Sequence, residues 1–364
     1  MKKILFVVAA MFFCSNVNAT SWRVCSKPEA RADFISVVEA HNSNSVFSGD
    51  TLYLEPGHIE QNSVTLTKQL TLIGPGFSLV ENGYNMMSTD DVVFINSLVV
   101  NAAHSKIFGC KFIHGLSIAT SEVNEITVEG CFVWDLFLNR GSGHIVRNCF
   151  IYGQLRGGTT TGNGYGVNTN NCLIENNIID APIVSYNTAF CFYSCIFRNN
   201  TITWRASDYI FTNGAYFCQI YNNIIINMDT GFTTTTNNQI TDTTWNRDKV
   251  FKNMSVCEIH NNVLSCKSES AYQNCVFNET TENVLVWENA NTLEGKFMHK
   301  TNSPAVGTGV NGTTCGAYGS VNGGRTYQPS GIPQYRPYIY DANIDDTPSN
   351  NNTINASFKI KVQQ

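Results

Sequence analysis

Seven segments of the chain repeat one arrangement of apolar and polar positions. Each begins and ends on an apolar residue, and they span residues 107–112, 128–133, 146–151, 174–179, 197–202, 220–225 and 259–264. The third position is always glycine or asparagine, the residue types that adopt a left-handed backbone at the least cost. The pattern therefore predicts seven units in which a short strand turns a sharp corner into another strand.

The positions around this corner predict a repeating interior. Side chains alternate between the two faces of a strand, and this alternation points the apolar end residues of each unit toward the interior. The residues directly after the corner are Cys110, Cys131, Cys149, Asn177, Asn200, Asn223 and Asn262. Like residues at one position of successive turns predict stacks, in which the asparagines hydrogen-bond from turn to turn.

Cysteines predict a second interior stack. Four of them share an inward-facing position five residues before the first stack: Cys172, Cys195, Cys218 and Cys257. The chain has 13 cysteines, a number that would suggest disulfides if the protein were secreted. Their periodic placement instead indicates reduced thiols that pack as small apolar side chains.

The corners recur at intervals that predict a coil with insertions. From Cys110 to Asn262, successive units lie 21, 18, 28, 23, 23 and 39 residues apart. A turn of about 20 residues that advances about 4.8 Å, the spacing of hydrogen-bonded strands, accounts for the shortest intervals. Insertions at residues 157–164 and 233–253 account for longer ones. We therefore predict an all-β fold, a right-handed parallel β-helix.

An outward-facing row precedes the corner in each unit. Its members are Phe108, Glu129, Arg147, Glu175, Arg198, Tyr221 and His260. Opposite charges on neighbouring strands are mildly favourable. The alternation predicts a solvated ladder of ion pairs and disfavours a catalytic role for Glu129 or Glu175.

Both ends of a parallel coil need covering, because they expose backbone and core. Residues 20–45 are predicted to form a strand and helix cap, with the amphipathic stretch 32–40 as its helix. The coil is predicted over residues 46–320, and extended segments within 321–364 are predicted to close its far end.

The N-terminus has the layout of a secretory signal. Two lysines precede an apolar run at residues 4–13, and Ala19 ends a stretch of small residues. We predict a signal over residues 1–19 and a secreted protein, with lipid attachment at Cys14 as the alternative. No later stretch of sequence approaches the length of a transmembrane helix.

The net charge of the chain limits which classes of molecule it is expected to bind. The chain has 23 Lys and Arg against 28 Asp and Glu, a formal net charge of −5. Loss of the signal removes two lysines and no acid, which makes the chain more acidic. This balance disfavours nucleic acid as a partner.

Two stretches resemble the first turns of the pectate-lyase-like β-helix superfamily. They are residues 48–57, Ser-Gly-Asp-Thr-Leu-Tyr-Leu-Glu-Pro-Gly, and residues 70–76, Leu-Thr-Leu-Ile-Gly-Pro-Gly. Residues 303–309 and 316–319 look like its closing turns, so the resemblance spans about residues 46–320. It implies a polysaccharide partner. Family members include lyases that hold a uronate carboxylate with calcium, hydrolases with paired carboxylates, and esterases.

A groove between the two insertions is the predicted site, since rigid scaffolds commonly carry function on their loops. The catalytic candidates are Asp208, Arg205 and Asp229. The substrate-binding candidates are Asp180, Tyr186, Trp204 and Trp245, with the two tryptophans for stacking on sugar rings. Taken one at a time, each is also explained as a solvated loop residue.

One segment resembles another carbohydrate enzyme. Residues 205–214 look like the pectin methylesterase segment built around Asp-Phe-Ile-Phe-Gly, with Asp208 as its carboxylate. Thr212 replaces the glycine, and the other segments of that site are absent, which disfavours an esterase.

Two functions stay open at this point. One is an extracellular polysaccharide lyase or hydrolase, and the other is a non-catalytic glycan-binding or cell-surface structural protein. The histidines and cysteines lack the spacing of a zinc site. We predict no metal site and no cofactor, and calcium stays open because lyases of the superfamily use it.

Overall fold

The protein is an all-β parallel solenoid. A computed structural model describes residues 19–82, 91–119, 122–160, 166–167, 169–184, 192–205, 210–211, 215–228, 232–236, 239–244, 250–252, 254–320, 324–332, 337–344 and 356–362. Within these ranges most strands belong to three parallel sheets. The predicted all-β class and parallel coil are confirmed, and the right-handed sense of the coil stays a prediction.

The first sheet has ten strands in the described part of the chain, in the order in which they occur along it. They are Ser21–Val24, Thr51–Leu54, Thr71–Ile73, Lys106–Phe108, Thr127–Glu129, Ile145–Arg147, Leu173–Glu175, Ile196–Arg198, Gln219–Tyr221 and Glu258–His260. Ile107 pairs with Val128, which pairs with Val146, as the alignment of the repeats predicts. Ser21–Val24 joins this sheet from within the segment predicted as a cap.

The second sheet follows each corner. Among the described residues its strands are Ile59–Glu60, Val64–Leu66, Val93–Phe94, Leu98–Val100, Lys111–Phe112, Leu116–Ile118, Phe132–Phe137, Phe150–Arg156, Ile178–Ile179, Ile183–Val184, Thr201–Trp204, Ile224–Asn227 and Val263–Leu264. Ile151, Ile179 and Ile202 are in register and point into the core.

A third, smaller sheet completes the coil. Its strands in the described ranges are Gly141–Ser142, Thr169–Asn170, Phe192–Tyr193, Ala215–Tyr216 and Met254–Ser255. Two antiparallel pairs lie at the predicted insertions, Thr159–Thr160 with Gly166–Val167 and Phe232–Thr236 with Gln239–Thr244. The longer intervals between corners are therefore hairpins that leave the coil.

Two corners of each turn use left-handed backbone. The predicted corner residues, from Gly109 to Asn261, have φ between 51° and 63°. A second left-handed position lies five residues earlier in every unit, at His104, Glu125, Gly143, Asn171, Ser194, Phe217 and Val256. Sequence analysis missed this second corner because its residue types have little in common.

The asparagines after the corner form a buried ladder. Asn177 Nδ2 donates to Asn200 Oδ1 at 3.0 Å, and Asn200 Nδ2 donates to Asn223 Oδ1 at 3.0 Å. Asn223 Nδ2 donates to Asn262 Oδ1 at 3.1 Å, which extends the ladder by one more turn. Each acceptor oxygen also receives the backbone N–H of the asparagine one turn earlier. All four side chains are buried and hydrogen-bonded, which satisfies polar groups in the core.

The cysteine stack also lies inside. The backbone N–H of Cys172 donates to Cys195 Sγ, and that of Cys195 donates to Cys218 Sγ, both at 3.4 Å. Burial raises the pKa of the Cys195 thiol well above its ordinary value. Cys172, Cys195, Cys218 and Cys257 are free thiols, as the periodic placement predicts.

The outward charged row is less solvated than predicted. Arg147 contacts Glu129 at 2.7 Å, and Arg198 contacts Glu175 at 2.6 Å. Glu129 is buried, however, and Arg325 contacts it from far along the chain at 3.3 Å. The prediction of a solvated ladder is therefore wrong at Glu129.

A short helix lies at the N-terminal end, at Val37–Asn42. Ser36 Oγ accepts the N–H of Glu39 and so caps the helix, and Val37 and Ala40 are buried. Its role as a cap over the coil stays a prediction.

Residues 281–320 and 324–332, here called the covering segment, pack on the outer face of the second sheet. The segment contains the helix Thr281–Val284 and the single turns Trp287–Asn289, Glu294–Phe297, Val310–Gly312 and Pro329–Gly331. Phe297 and Tyr327 bury Phe150 and Ile178, while Val284 and Cys315 bury Ile224. The predicted closing turns belong to this segment, which lies along an apolar face rather than extending the coil.

Corner asparagines hold the covering segment in place. Asn176 Nδ2 donates to the carbonyl oxygens of Ala317 and Gly319, both at 2.9 Å. Asn261 Nδ2 donates to the Thr308 carbonyl at 2.8 Å. These asparagines therefore have two roles: their backbone forms the bend, and their side chains hydrogen-bond to the covering segment.

The last described strands pair with each other. Pro337–Ile344 and Ala356–Val362 form an antiparallel hairpin. Their predicted role in closing the coil stays a prediction. In the described part of the chain, every helix is too short or too polar to cross a membrane.

Candidate functional site

One outward row crosses the second sheet four residues after each corner. Its members are Ile113, Trp134, Tyr152, Asp180, Thr203, Ile226 and Ser265. Trp134 and Tyr152 are 44% and 40% exposed, whereas Thr203 and Ile226 are buried. The row therefore passes from an exposed aromatic surface to a part that lies beneath other residues, and Asp180 stands between the two.

Trp134 and Tyr152 form an exposed aromatic pair. Their ring centroids lie 4.8 Å apart with an interplanar angle of 56°. The register between their strands shifts after Val133, which is a bulge of the kind that re-aims side chains. Gly153 occupies the bulge, where a Cβ atom would lie 2.3 Å from Asp135 Oδ1. Because any larger residue at position 153 would collide with Asp135 and Trp134, the bulge requires glycine there.

Asp180 is a half-buried carboxylate directly beyond Tyr152. Its Oδ1 accepts a hydrogen bond from Thr203 Oγ1 at 2.6 Å. Burial raises the pKa of Asp180, while the Thr203 hydrogen bond and the charges of Arg205 and Lys296 lower it. The net shift is upward, so the protonated carboxyl persists to higher pH than in a free aspartate. Burial likewise raises the pKa of Asp135, against hydrogen bonds from Gln154.

Two cations approach Asp180 from different parts of the chain. The Arg205 guanidinium lies 5.3 Å from the centre of the Trp287 ring, and Lys296 Nζ lies 5.9 Å from it. These are cation–π distances. Trp287 packs edge-on against Phe297 at 5.2 Å. The covering segment therefore completes the positive side of the site.

The structure brings together Arg205 and Asp180 among the residues predicted from sequence. Trp204 instead packs against the interior cluster, and its indole N–H is buried with no hydrogen-bond partner. Its proposed stacking on a sugar stays a prediction. The other four candidates lie outside the described residues: Tyr186, Asp208, Asp229 and Trp245.

Sequence analysis missed most of the residues around Asp180. Trp134 and Tyr152 could have been found, because they share its position in the aligned repeats. Trp287 and Lys296 could not, because the covering segment has no repeat that relates it to the coil.

The surface offers aromatic faces, a half-buried acid and two cations. Its chemistry suits a ligand with both apolar faces and negative charge. Within the described ranges, no three His, Cys, Asp or Glu side chains converge as metal ligands.

The chain matches no protein-family model and no curated protein. The resemblance to the pectate-lyase-like superfamily therefore stays a prediction.

Proposed function

We propose that this protein is an exported right-handed β-helix that binds an acidic glycan on the outer face of its second sheet. The observation that carries the proposal is the exposed Trp134–Tyr152 pair in one row with Asp180, beside Arg205 and Lys296.

The aromatic pair supports a sugar ligand. Exposed aromatic rings combine a large apolar face with a polar tip, and such residues dominate the energetics of recognition surfaces. Strands about 4.8 Å apart present successive side chains in line. A glycan that runs across the strands would meet one ring after another.

The cations support an acidic glycan over a neutral one. A guanidinium recognises a carboxylate through two parallel N–H donors, and an ammonium adds a point charge. Arg205 is exposed and Lys296 half-buried, so both are accessible. A uronate carboxylate would meet these cations while its ring stacks on Tyr152.

Export is part of the proposal and rests on residues 1–19. N-terminal sequencing of protein secreted by its native host should begin at Thr20. A protein that keeps its first 19 residues would contradict the proposed export.

A binding experiment with matched glycans tests the proposed partner. Isothermal titration with a polyuronate oligosaccharide should show saturable binding, and the carboxyl-reduced form of the same oligosaccharide should bind more weakly. Trp134→Ala and Arg205→Gln should each weaken uronate binding about tenfold, the equivalent of roughly 1.4 kcal/mol. The matched control is Tyr53→Ala, an exposed aromatic residue on the first sheet. Equal losses in all three variants would contradict the proposal.

Asp180 supports a second candidate function, a polysaccharide lyase or hydrolase. A carboxyl with a raised pKa is suited to give a proton to a leaving glycosidic oxygen. In hydrolysis, a second carboxylate would activate water, and Asp135 is the described candidate. In β-elimination, a basic residue would take the proton beside the uronate carboxylate as the C–O bond breaks and a C=C bond forms.

Turnover separates the two functions. New reducing ends without unsaturated products would indicate hydrolysis, and unsaturated products would indicate elimination. Asp180→Asn should abolish either activity while the protein still binds glycan. Binding without products across uronate-containing and neutral glycans would exclude the enzymatic candidate.

A further inference from the structure

A second aromatic surface lies on the third sheet. The outward row of this sheet, in register, consists of Ser142, Asn170, Tyr193, Tyr216 and Ser255. The left-handed corner follows directly, with Gly143, Asn171, Ser194, Phe217 and Val256. This surface belongs to a different sheet from the one that carries Trp134 and Asp180.

Three rings on this surface contact one another. Tyr193 and Tyr216 lie 5.5 Å apart with an interplanar angle of 33°. Phe217 meets Tyr216 edge-on at 4.2 Å and Tyr193 at 5.6 Å. Tyr193 is 36% and Phe217 45% exposed. The rings thus form a continuous apolar platform that water reaches.

Phe217 adopts a backbone conformation that does not suit it. Its φ is +55°, a value at which a bulky residue is a genuine outlier. Two described turns place Gly143 and Asn171 at the same corner, which shows that easier residues fit there. Val256 has the same backbone at the same corner, so the strain belongs to the coil as a whole. Phe217 differs in carrying an exposed ring that contacts two tyrosines, and this exposed cluster of rings indicates a role in binding.

The described neighbours of the rings along the row and the corner are uncharged. Hydroxyl and amide groups neighbour them along the row and the corner, and Asn171 Nδ2 donates to Ser142 Oγ at 3.2 Å. The ten residues named in these two rows carry no charge, and Glu125 is the charged residue of the same corner one turn before Gly143. Aromatic faces bordered by neutral hydrogen-bonding groups are typical of sites that recognise uncharged polar ligands.

We propose that Tyr193, Tyr216 and Phe217 form a second binding site, which takes a neutral oligosaccharide. The strand spacing of about 4.8 Å sets the two tyrosines about one sugar ring apart, so adjacent sugars stack on adjacent rings. The inference rests on the proposed function only in taking a glycan as the partner. It differs in the class of glycan and in the surface used.

Phe217→Asn tests the site because it affects stability and binding in opposite directions. Asparagine tolerates the left-handed backbone, so the unfolding midpoint should rise by about 2 °C. Binding to neutral hexasaccharides of glucose, xylose, mannose and galactose should fall about tenfold for whichever the wild type binds. Tyr193→Ser should weaken the same binding without raising the midpoint.

Val256→Asn is the matched control. It relieves the same strain at the same corner one turn later but removes no ring, so it should raise the midpoint and leave binding unchanged. Wild-type protein that binds none of the hexasaccharides, or Phe217→Asn that binds as the wild type does, would overturn the inference. So would a wild-type dimer that Phe217→Asn converts to monomer in sedimentation, because the platform would then join two copies. The acidic-glycan site is tested with a uronate ligand and not with these hexasaccharides. A protein that fails to bind uronate would therefore contradict the first site alone.

Discussion

Gly130 and Gly331 pass each other at close range. A Cβ atom on Gly130 would lie 2.4 Å from the Gly331 carbonyl oxygen, and one on Gly331 would lie 2.0 Å from that of Gly130. Gly130 is a corner residue of the coil, and Gly331 belongs to the covering segment. The corner alone would accept asparagine, as later corners do, so the contact with Gly331 is what demands glycine.

Gly130→Asn should therefore be destabilising although asparagine suits the corner. The added side chain would force the covering segment away, and the free energy of unfolding should fall by about 2–3 kcal/mol. Chemical denaturation followed by circular dichroism measures the change. Asn148→Gly is the reciprocal control at the next corner and should cost less than about 1 kcal/mol. Similar losses in both variants would contradict the close-approach argument.

Val256→Gly should stabilise the protein. Val256 has φ of +53° and is 62% exposed, so it has backbone strain and little burial to lose. Relief of a left-handed backbone at a β-branched residue should raise the free energy of unfolding by about 1 kcal/mol. Val306→Gly, at an exposed position without positive φ, should bring no gain. Thermal unfolding of the two variants side by side tests this.

Asn200→Ala should break the buried ladder. It removes the acceptor of the Asn177 N–H and the donor to the Ile174 carbonyl, and both backbone groups are buried. Buried groups left without partners should lower the free energy of unfolding by about 3 kcal/mol. Asn289→Ala, at an exposed position, should change it by less than about 0.5 kcal/mol. A cost at Asn200 as small as that at Asn289 would show that the ladder adds no stability.

Glu294 should make stability depend on pH. It accepts hydrogen bonds from Tyr327, Asn82 and Ser330, yet burial raises its pKa above the ordinary value. The folded protein then holds the proton more tightly than the unfolded chain does. This contribution to stability is fully present below the unfolded pKa, about 4.3, and is lost as pH rises through the folded pKa.

Glu294→Gln isolates that contribution. The free energy of unfolding of the wild type minus that of the variant should decrease as pH rises from about 4 to 8. Glu288→Gln, at an exposed position, should give a difference that does not vary with pH. A difference that grows with pH would contradict the assigned direction.

Arg205→Gln should raise the pKa of Asp180 further. The positive charge of Arg205 favours the ionised carboxylate, so its loss leaves burial less opposed. Carboxyl-carbon NMR titration of Asp180 measures the shift directly and needs no ligand. Arg147→Gln, which pairs with Glu129 on the first sheet, should leave the Asp180 titration unchanged. An unshifted titration in Arg205→Gln would place Arg205 too far from Asp180 to join one site.

The two corners show how far residue types predict the coil. The first corner was predictable because Gly109 and Asn148 belong to the types that accept positive φ. The second was not, because closure of the coil imposes the same backbone on Phe217 and Val256, which ordinarily avoid it. The backbone preference of a residue type predicts the conformation only where that type favours the conformation the fold requires.

The candidate site divides in the same way. Asp180 and Arg205 were predicted from sequence, and the aligned repeats contain the signal for Trp134 and Tyr152. Lys296 and Trp287 join them only because the covering segment packs on the second sheet.

The sequence by itself determined the coil: the period, the inward positions, the asparagine and cysteine stacks, and the first corner. These features depend on contacts between equivalent positions of neighbouring turns, so they repeat along the chain and are visible in it. Only the tertiary structure decided why Gly130 must be glycine, what Asn176 binds and that Lys296 approaches Asp180. Those contacts join the coil to a segment more than 100 residues away that shares no period with it, and a contact that occurs once leaves no pattern in the sequence.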